Sequence, residues 1–186
     1  MRQQFDADVA VIGYGPTGVI AALSLAQQGA QVLALERDRD IYPRARAVTV
    51  NDWTMRIFQN LGIGERVEKV IDPQRALRWV TYEGDEVMRV EHPPSALGAG
   101  SRCYNIYQPV MESELRSCAQ EREDLITVRY GAEVTEIEQD DSGVTVTTTD
   151  TDTGEVRTYR TRYAIAADGG SSRQPDPAAP GHPAAR

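Results

Sequence analysis

Three glycines near the start of the chain, Gly13, Gly15 and Gly18, stand in the spacing G-x-G-x-x-G, and Glu36 follows eighteen residues after the third. This set offers backbone N–H groups and one carboxylate rather than a nucleophile. It suits a dinucleotide: Gly13 permits a tight turn, Gly15 lets backbone approach a pyrophosphate, and Gly18 lets a helix pack closely. The anion would sit at the start of a helix opened by Pro16 and Thr17, where unpaired N–H groups and the helix dipole favour negative charge. Pro16 suits the first helical turn because its missing N–H is not needed there. Glu36 stands where a carboxylate accepts a hydrogen bond from a ribose 2′-hydroxyl, and it would repel a 2′-phosphate. The glycine motif by itself leaves NAD and FAD both open.

Two further groups could serve the same ligand. Arg44 and Arg46 lie two residues apart in a loop after the second strand, suited to a phosphate or ribityl group or to plain solvation. Asp168 and Gly169 close the apolar run "YAIAAD", and a carboxylate at the end of a central strand can reach a ribityl or ribose hydroxyl. Cys103 and Cys118 lack C-x-x-C spacing and a nearby histidine, so they read as reduced, half-buried thiols of a cytoplasmic protein. The two histidines, His92 and His182, have no neighbour that would make either a metal ligand.

These residues need a scaffold, and the flanking patterns supply one. Asp8–Ile12 is a short apolar run bounded by glycine, hence a buried strand. From Pro16 the apolar residues Val19, Ala22, Leu23 and Ala26 recur at helical spacing until Gly29, and Gln31–Glu36 forms a second buried strand. Asn51 or Asp52 caps a helix running through Phe58, Gly62 stops it, and Glu65–Val70 gives a short second piece. Leu77, Trp79 and Thr81 alternate with Arg78, Val80 and Tyr82 ahead of a Gly84-Asp85 turn, which predicts a hairpin over 76–91. Near Pro109 a helix begins, with Val110, Leu115 and Cys118 expected inward. Turns at Asp141-Ser142-Gly143 and Asp152-Thr153-Gly154 divide an antiparallel meander, and Tyr163–Asp168 is expected to return as a buried strand of the parallel sheet. The fold class is therefore α/β: a Rossmann-like domain whose parallel sheet carries an antiparallel β-meander, plus a β-hairpin.

Composition narrows the functions. The 186 residues carry a net charge of −8, which argues against a nucleic-acid partner. No segment is apolar and long enough to span a membrane. Asp6 and Asp8 precede the first apolar run, while Gly13, Gly15 and Pro16 interrupt it, against its being an export signal.

Taken together, "VIGYGPTGVIAALSLAQQGAQVLALERD", "IYPRARAVTVNDWTMRIFQNLGI", "YNIYQPVMESEL" and "YAIAADGGSS" resemble the class A flavin-dependent aromatic hydroxylases, of the 4-hydroxybenzoate hydroxylase fold. The likeness is greatest to the 3-(3-hydroxyphenyl)propionate and phenol hydroxylases. The resemblance implies FAD at Gly13, Gly15, Pro16, Thr17 and Gly18, with Glu36 and Arg37 on the adenosine side. It implies that Arg44 contacts the flavin side, that Gln108 lies near the ribityl chain, and that the Val134 backbone meets the adenine. Asp168 and Gly169 match a motif associated with both FAD and NAD(P)H. In such enzymes NAD(P)H is a transient reductant, and reduced flavin uses O2 to hydroxylate a small phenolic substrate; the protein supplies position and water exclusion.

The family pattern continues into a substrate domain and a second Gly-Asp cofactor motif, neither of which follows here. After Arg173 the sequence reads "QPDPAAPGHPAAR", with no large apolar residue to build a core. The expectation is an incomplete FAD-binding domain over 1–173, with the 76–91 hairpin directed towards a missing substrate domain, and a disordered Pro/Ala-rich tail over 174–186. On that reading the chain is a truncated hydroxylase, inactive alone, with an exposed apolar surface open to self-association. Two other readings stand beside it: a non-catalytic nucleotide-binding module, and an NAD-dependent dehydrogenase domain.

Overall fold

The computed structural model describes residues 5–169. β1 (Ala7–Ile12) is apolar apart from Asp8 and buries every other residue, so it can only be a central strand. α1 (Pro16–Gln27) turns Gly18, Val19, Ala22, Leu23 and Ala26 inward, and β2 (Val32–Glu36) returns parallel to β1. β3 (Thr49–Asn51) leads into α2 (Asp52–Asn60), where the Asn51 side chain accepts a hydrogen bond from Thr54 N and caps the helix. The short α3 (Gly64–Val67) and a single 3-10 turn lead to β4 (Ile71–Pro73). β5 (Ala76–Val80) and β6 (Glu86–Glu91) form the expected hairpin. β7 (Cys103–Ile106) lies between β3 and β4 in a small antiparallel sheet, and α4 (Gln108–Gln120) follows it. β8 (Ile126–Tyr130), β9 (Ala132–Asp140), β10 (Gly143–Asp150) and β11 (Val156–Ala166) complete the chain's strands among the described residues.

The main sheet has the order β8-β2-β1-β11-β10-β9. Its first three pairings are parallel, and its last two, β11–β10 and β10–β9, form the antiparallel meander. β11 belongs to both halves: residues 156–161 pair with β10, and residues 161–166 pair with β1. Thr161 sits at the junction, paired on both sides and fully buried. The larger core lies between the parallel strands and α1, α2 and α4; a smaller one of Ala7, Ala10, Leu33, Leu35, Ala132 and Val146 fills the opposite face.

The strand order reverses beside β1. The chain moves from β1 outward to β2 and β8, then returns through the meander to place β11 on the other flank. In open α/β sheets such a switch point, at the carboxyl ends of the strands, is where ligands lie.

Several expectations change. Residues 126–130 join the parallel sheet beside β2 instead of the meander. In α4 it is Met111, Leu115, Cys118 and Ala119 that are buried, while Val110 is 44% exposed: the first helical turn after Tyr107 rotates residue 110 outward. Of the expected strand Tyr163–Asp168, residues 163–166 pair with β1, but Tyr163 is 68% and Ile165 37% exposed, so one face of this strand is uncovered. The tail expectation for 174–186, with His182, lies outside the described residues.

Candidate functional site

Three strand ends meet at Gly13. Its N–H donates to Leu35 O at the end of β2 (2.8 Å), and Ala167 N, just beyond β11, donates to Ile12 O (2.7 Å). Gly13 has φ +90°, and a Cβ there would lie 2.6 Å from Ala167 O and 2.7 Å from Asp168 Cα. The turn thus needs glycine twice over, for its backbone angle and for the adjoining strand end. That contact also brings Asp168 alongside the turn. A Cβ on Gly18 would collide with the Gly13 carbonyl oxygen, so the third glycine packs against the turn itself more than against the strand.

Gly15 differs from both. Its backbone is extended (φ −72°, ψ −175°), a conformation any residue adopts, and a Cβ there would meet nothing within 4 Å. Neither backbone strain nor packing among the described residues calls for glycine at 15. Pro16 opens α1 as expected, Thr17 is exposed, and no acidic side chain occupies the first turn. The helix start is open to an anion.

Glu36 closes β2 beside this turn. Its Oε2 accepts the Tyr14 N–H (2.6 Å) and its Oε1 accepts the Asp38 N–H (2.9 Å). Two donors fix the carboxylate plane while each oxygen keeps a free lone pair for a hydroxyl. Arg37, by contrast, is exposed and, among the described residues, pairs only with Asp38, at 3.3 Å. Arg39 ties the segment after β2 to the β10–β11 turn through Asp150 (3.1 Å) and Asp152 (2.6 Å). Val134 pairs with Thr148 beside a bulge at Thr135 of β9 and packs on the smaller core that includes Leu35.

Gln108 and the Arg44 loop form a second group. Gln108 Oε1 accepts both Arg46 N–H and Ala47 N–H at 2.9 Å, which leaves its amide NH2 free to donate. The Arg46 guanidinium lies 5.0 Å from the Tyr42 ring centre, and Tyr107 Oη donates to Pro43 O at 3.5 Å. Arg44 itself is exposed on this tethered loop.

Sequence reasoning missed Tyr14, Glu112, Arg116 and Tyr130. Tyr14 is 1% exposed, and burial pushes its phenol pKa well up, with Tyr130 adding and Arg116 opposing. The signal available was the Glu112–Arg116 spacing of four on a helix, which places the two side chains on one face. Among the described residues no three His, Cys, Asp or Glu gather to hold a metal ion. Cys118 is buried and Cys103 partly so; burial pushes the Cys118 thiol pKa up, as for an inert thiol. No helix among the described residues is long and apolar enough to cross a membrane.

A family model described as an FAD binding domain matches residues 6–178. The chain belongs to this FAD binding domain family. It is 35% identical over 169 residues to a 3-(3-hydroxy-phenyl)propionate/3-hydroxycinnamic acid hydroxylase of Comamonas testosteroni, covering 91% of this chain and 28% of that protein. It is 34% identical over 171 residues to a probable NADH-specific resorcinol 4-hydroxylase of Rhodococcus jostii, covering 88% of this chain and 31% of that protein. Among solved structures it resembles the flavin-dependent monooxygenase PieE, crystallised with FAD and substrate, at 34% identity and a TM-score of 0.80. That match covers 90% of this chain and 31% of PieE. The chain thus spans about 30% of the length of the proteins it matches. The cofactor of the family is FAD, and the mixed sheet with its helices is the fold of the flavin monooxygenases' FAD-binding part.

The site suits that cofactor on the structure's own terms. Open space at Gly15, a helix start with no acidic side chain in its first turn and a carboxylate held at the neighbouring strand end suit a pyrophosphate and an adenosine ribose.

Proposed function

We propose that this domain supplies the FAD-binding part of an NAD(P)H-dependent monooxygenase that hydroxylates a small phenolic substrate. The observation that carries the reading is the glycine at position 15, which neither backbone strain nor packing among the described residues requires. In this reading Gly13, Gly15, Pro16, Thr17 and Gly18 cradle the pyrophosphate, Glu36 binds the adenosine ribose, and Val134 offers backbone to the adenine. Gln108 donates towards the ribityl chain while holding the loop that presents Arg44. Asp168 and Gly169 are assigned to the ribityl chain, a role supported by the contact that brings Asp168 alongside the Gly13 turn. Arg37 has an adenosine-side role in this assignment, supported by its place directly after Glu36.

FAD, when bound, supplies the redox and oxygen chemistry; the chain's residues bind, orient and exclude water. Hydroxylation is assigned to this domain acting with the further length that its relatives carry. The hydroxylase relatives support a phenol as substrate, and the NADH-specific relative supports a nicotinamide nucleotide as reductant. Two unpaired cysteines support a cytoplasmic location. The exposed apolar residues of β11 support self-association, which light scattering of the purified chain tests directly.

Titration of the purified chain with FAD, followed by flavin fluorescence, tests the main reading. Saturable quenching in the parent and none in Gly15→Val is the expected result; no binding in the parent, or equal binding in both, overturns it.

A further inference from the structure

Tyr14, inside the glycine turn, faces away from the ligand side and into the protein. Its ring meets Tyr130 edge-on, with centroids 6.1 Å apart and planes at 76°. Arg116 of α4 lies 5.5 Å from each ring centre. Its guanidinium pairs with Glu112 at 2.6 Å, and the two side chains are 13% and 5% exposed.

Both tyrosines connect to Glu36. Tyr14 donates its backbone N–H to Glu36, and Tyr130 is the register partner of Glu36 across the β2–β8 pair. One planar cation therefore lies against the rings of a residue that donates to the Glu36 carboxylate and of the residue that faces Glu36 across the sheet. A buried ion pair is a poor device for stability alone, since desolvation offsets much of its attraction. Orientation is its better-supported use here, because α4 already buries Met111, Leu115, Cys118 and Ala119.

We propose that Arg116 is a positioning residue: through Tyr14 and Tyr130 it holds Glu36 and so sets how strongly the site favours a ribose 2′-hydroxyl. This rests on the reading of Glu36 as the ribose ligand. Lysine at 116 would keep the charge opposite Glu112 and lose the flat surface between the rings.

The test uses the full chain and calorimetric titration with ADP and 2′-deoxy-ADP. The parent is expected to prefer ADP by about tenfold, the worth of one hydrogen bond to a charged group. Arg116→Lys should bring that preference to within about threefold of parity while its Tm stays within a few degrees of the parent. The double variant Glu112→Gln/Arg116→Gln, which leaves no unpaired buried charge, should do the same. Should both α4 variants fail to fold, Tyr130→Leu removes one ring with the ion pair intact, and the same ratio decides. Variants that keep the parent's preference, including those that weaken both ligands equally, overturn the proposal and leave the Glu36 reading standing. A parent with no preference overturns the Glu36 reading and this proposal with it.

Discussion

Around the β1–α1 turn, positions are fixed by backbone meeting backbone, whereas the loop that carries Arg44 is held by a few side-chain contacts. Gly13 abuts Ala167 and Asp168, Gly18 abuts Gly13, and Glu36 is pinned by two N–H donors. Nearly every residue from Arg37 to Thr49 is exposed, and Gln108 and Tyr107 reach this segment only at residues 43, 46 and 47. The difference teaches where order comes from before ligand arrives. On the proposed assignment the pyrophosphate and ribose side is preformed, so ligand binding there would lose little conformational entropy, and the Arg44 side would be ordered partly at the expense of binding.

The largest effect expected separates two glycines of one motif. Gly18→Ala should abolish folding or lower stability by about 3 kcal/mol or more, because its Cβ has only backbone to displace. Gly15→Val should leave Tm near that of the parent and abolish FAD binding, because the valine has room in the chain but not beside a pyrophosphate. Thermal melts and FAD titrations on both variants check the pair. If Gly15→Val melts early and Gly18→Ala does not, the preformed turn is wrongly assigned.

Next in size is Glu36→Ala, expected to weaken FAD binding by about 1–3 kcal/mol. It should not create a preference for a 2′-phosphate, since the change supplies no cation. Unchanged FAD affinity would make the carboxylate a clamp for the Tyr14 and Asp38 N–H groups alone.

Gln108→Leu probes the other side. Freeing the Arg46 and Ala47 N–H groups should raise protease cleavage within 41–48 and weaken FAD by about 1 kcal/mol, with little change in Tm. A large fall in Tm would mean that the loop is part of the folded core after all.

The smallest effect lies outside both regions. Asp150 accepts N–H bonds from Thr153 and Asp152, which hold its carboxyl down to about 2. Because the folded value is depressed, its contribution is complete above the ordinary carboxylate range and is lost as pH falls towards 2. Asp150→Asn should therefore flatten the fall of Tm between pH 4 and about 2, with no effect at pH 7 on FAD binding. A changed FAD affinity at pH 7 would tie the β10–β11 turn to the site.

The sequence by itself determined the turn, both flanking strands, α1 and the hairpin, because each depends on local chemistry. Glycine spacing, apolar period and caps such as Asn51 act within a few residues of chain. It also marked Glu36 and Asp168, since a carboxylate at the end of an apolar strand is visible as such. What tertiary structure alone decided is which of those residues meet. That Gly13 yields to Ala167 and Asp168 required β11 to dock beside β1, a pairing between segments more than 150 residues apart. An exposed apolar surface was expected from the missing substrate domain, but its place at Tyr163 and Ile165 emerged only in the fold, because an apolar run signals a strand but not what lies over it. The Tyr14–Arg116–Tyr130 stack draws on a turn, a helix and a strand. No local pattern reports such a cluster, because its energy comes from burial shared among distant segments.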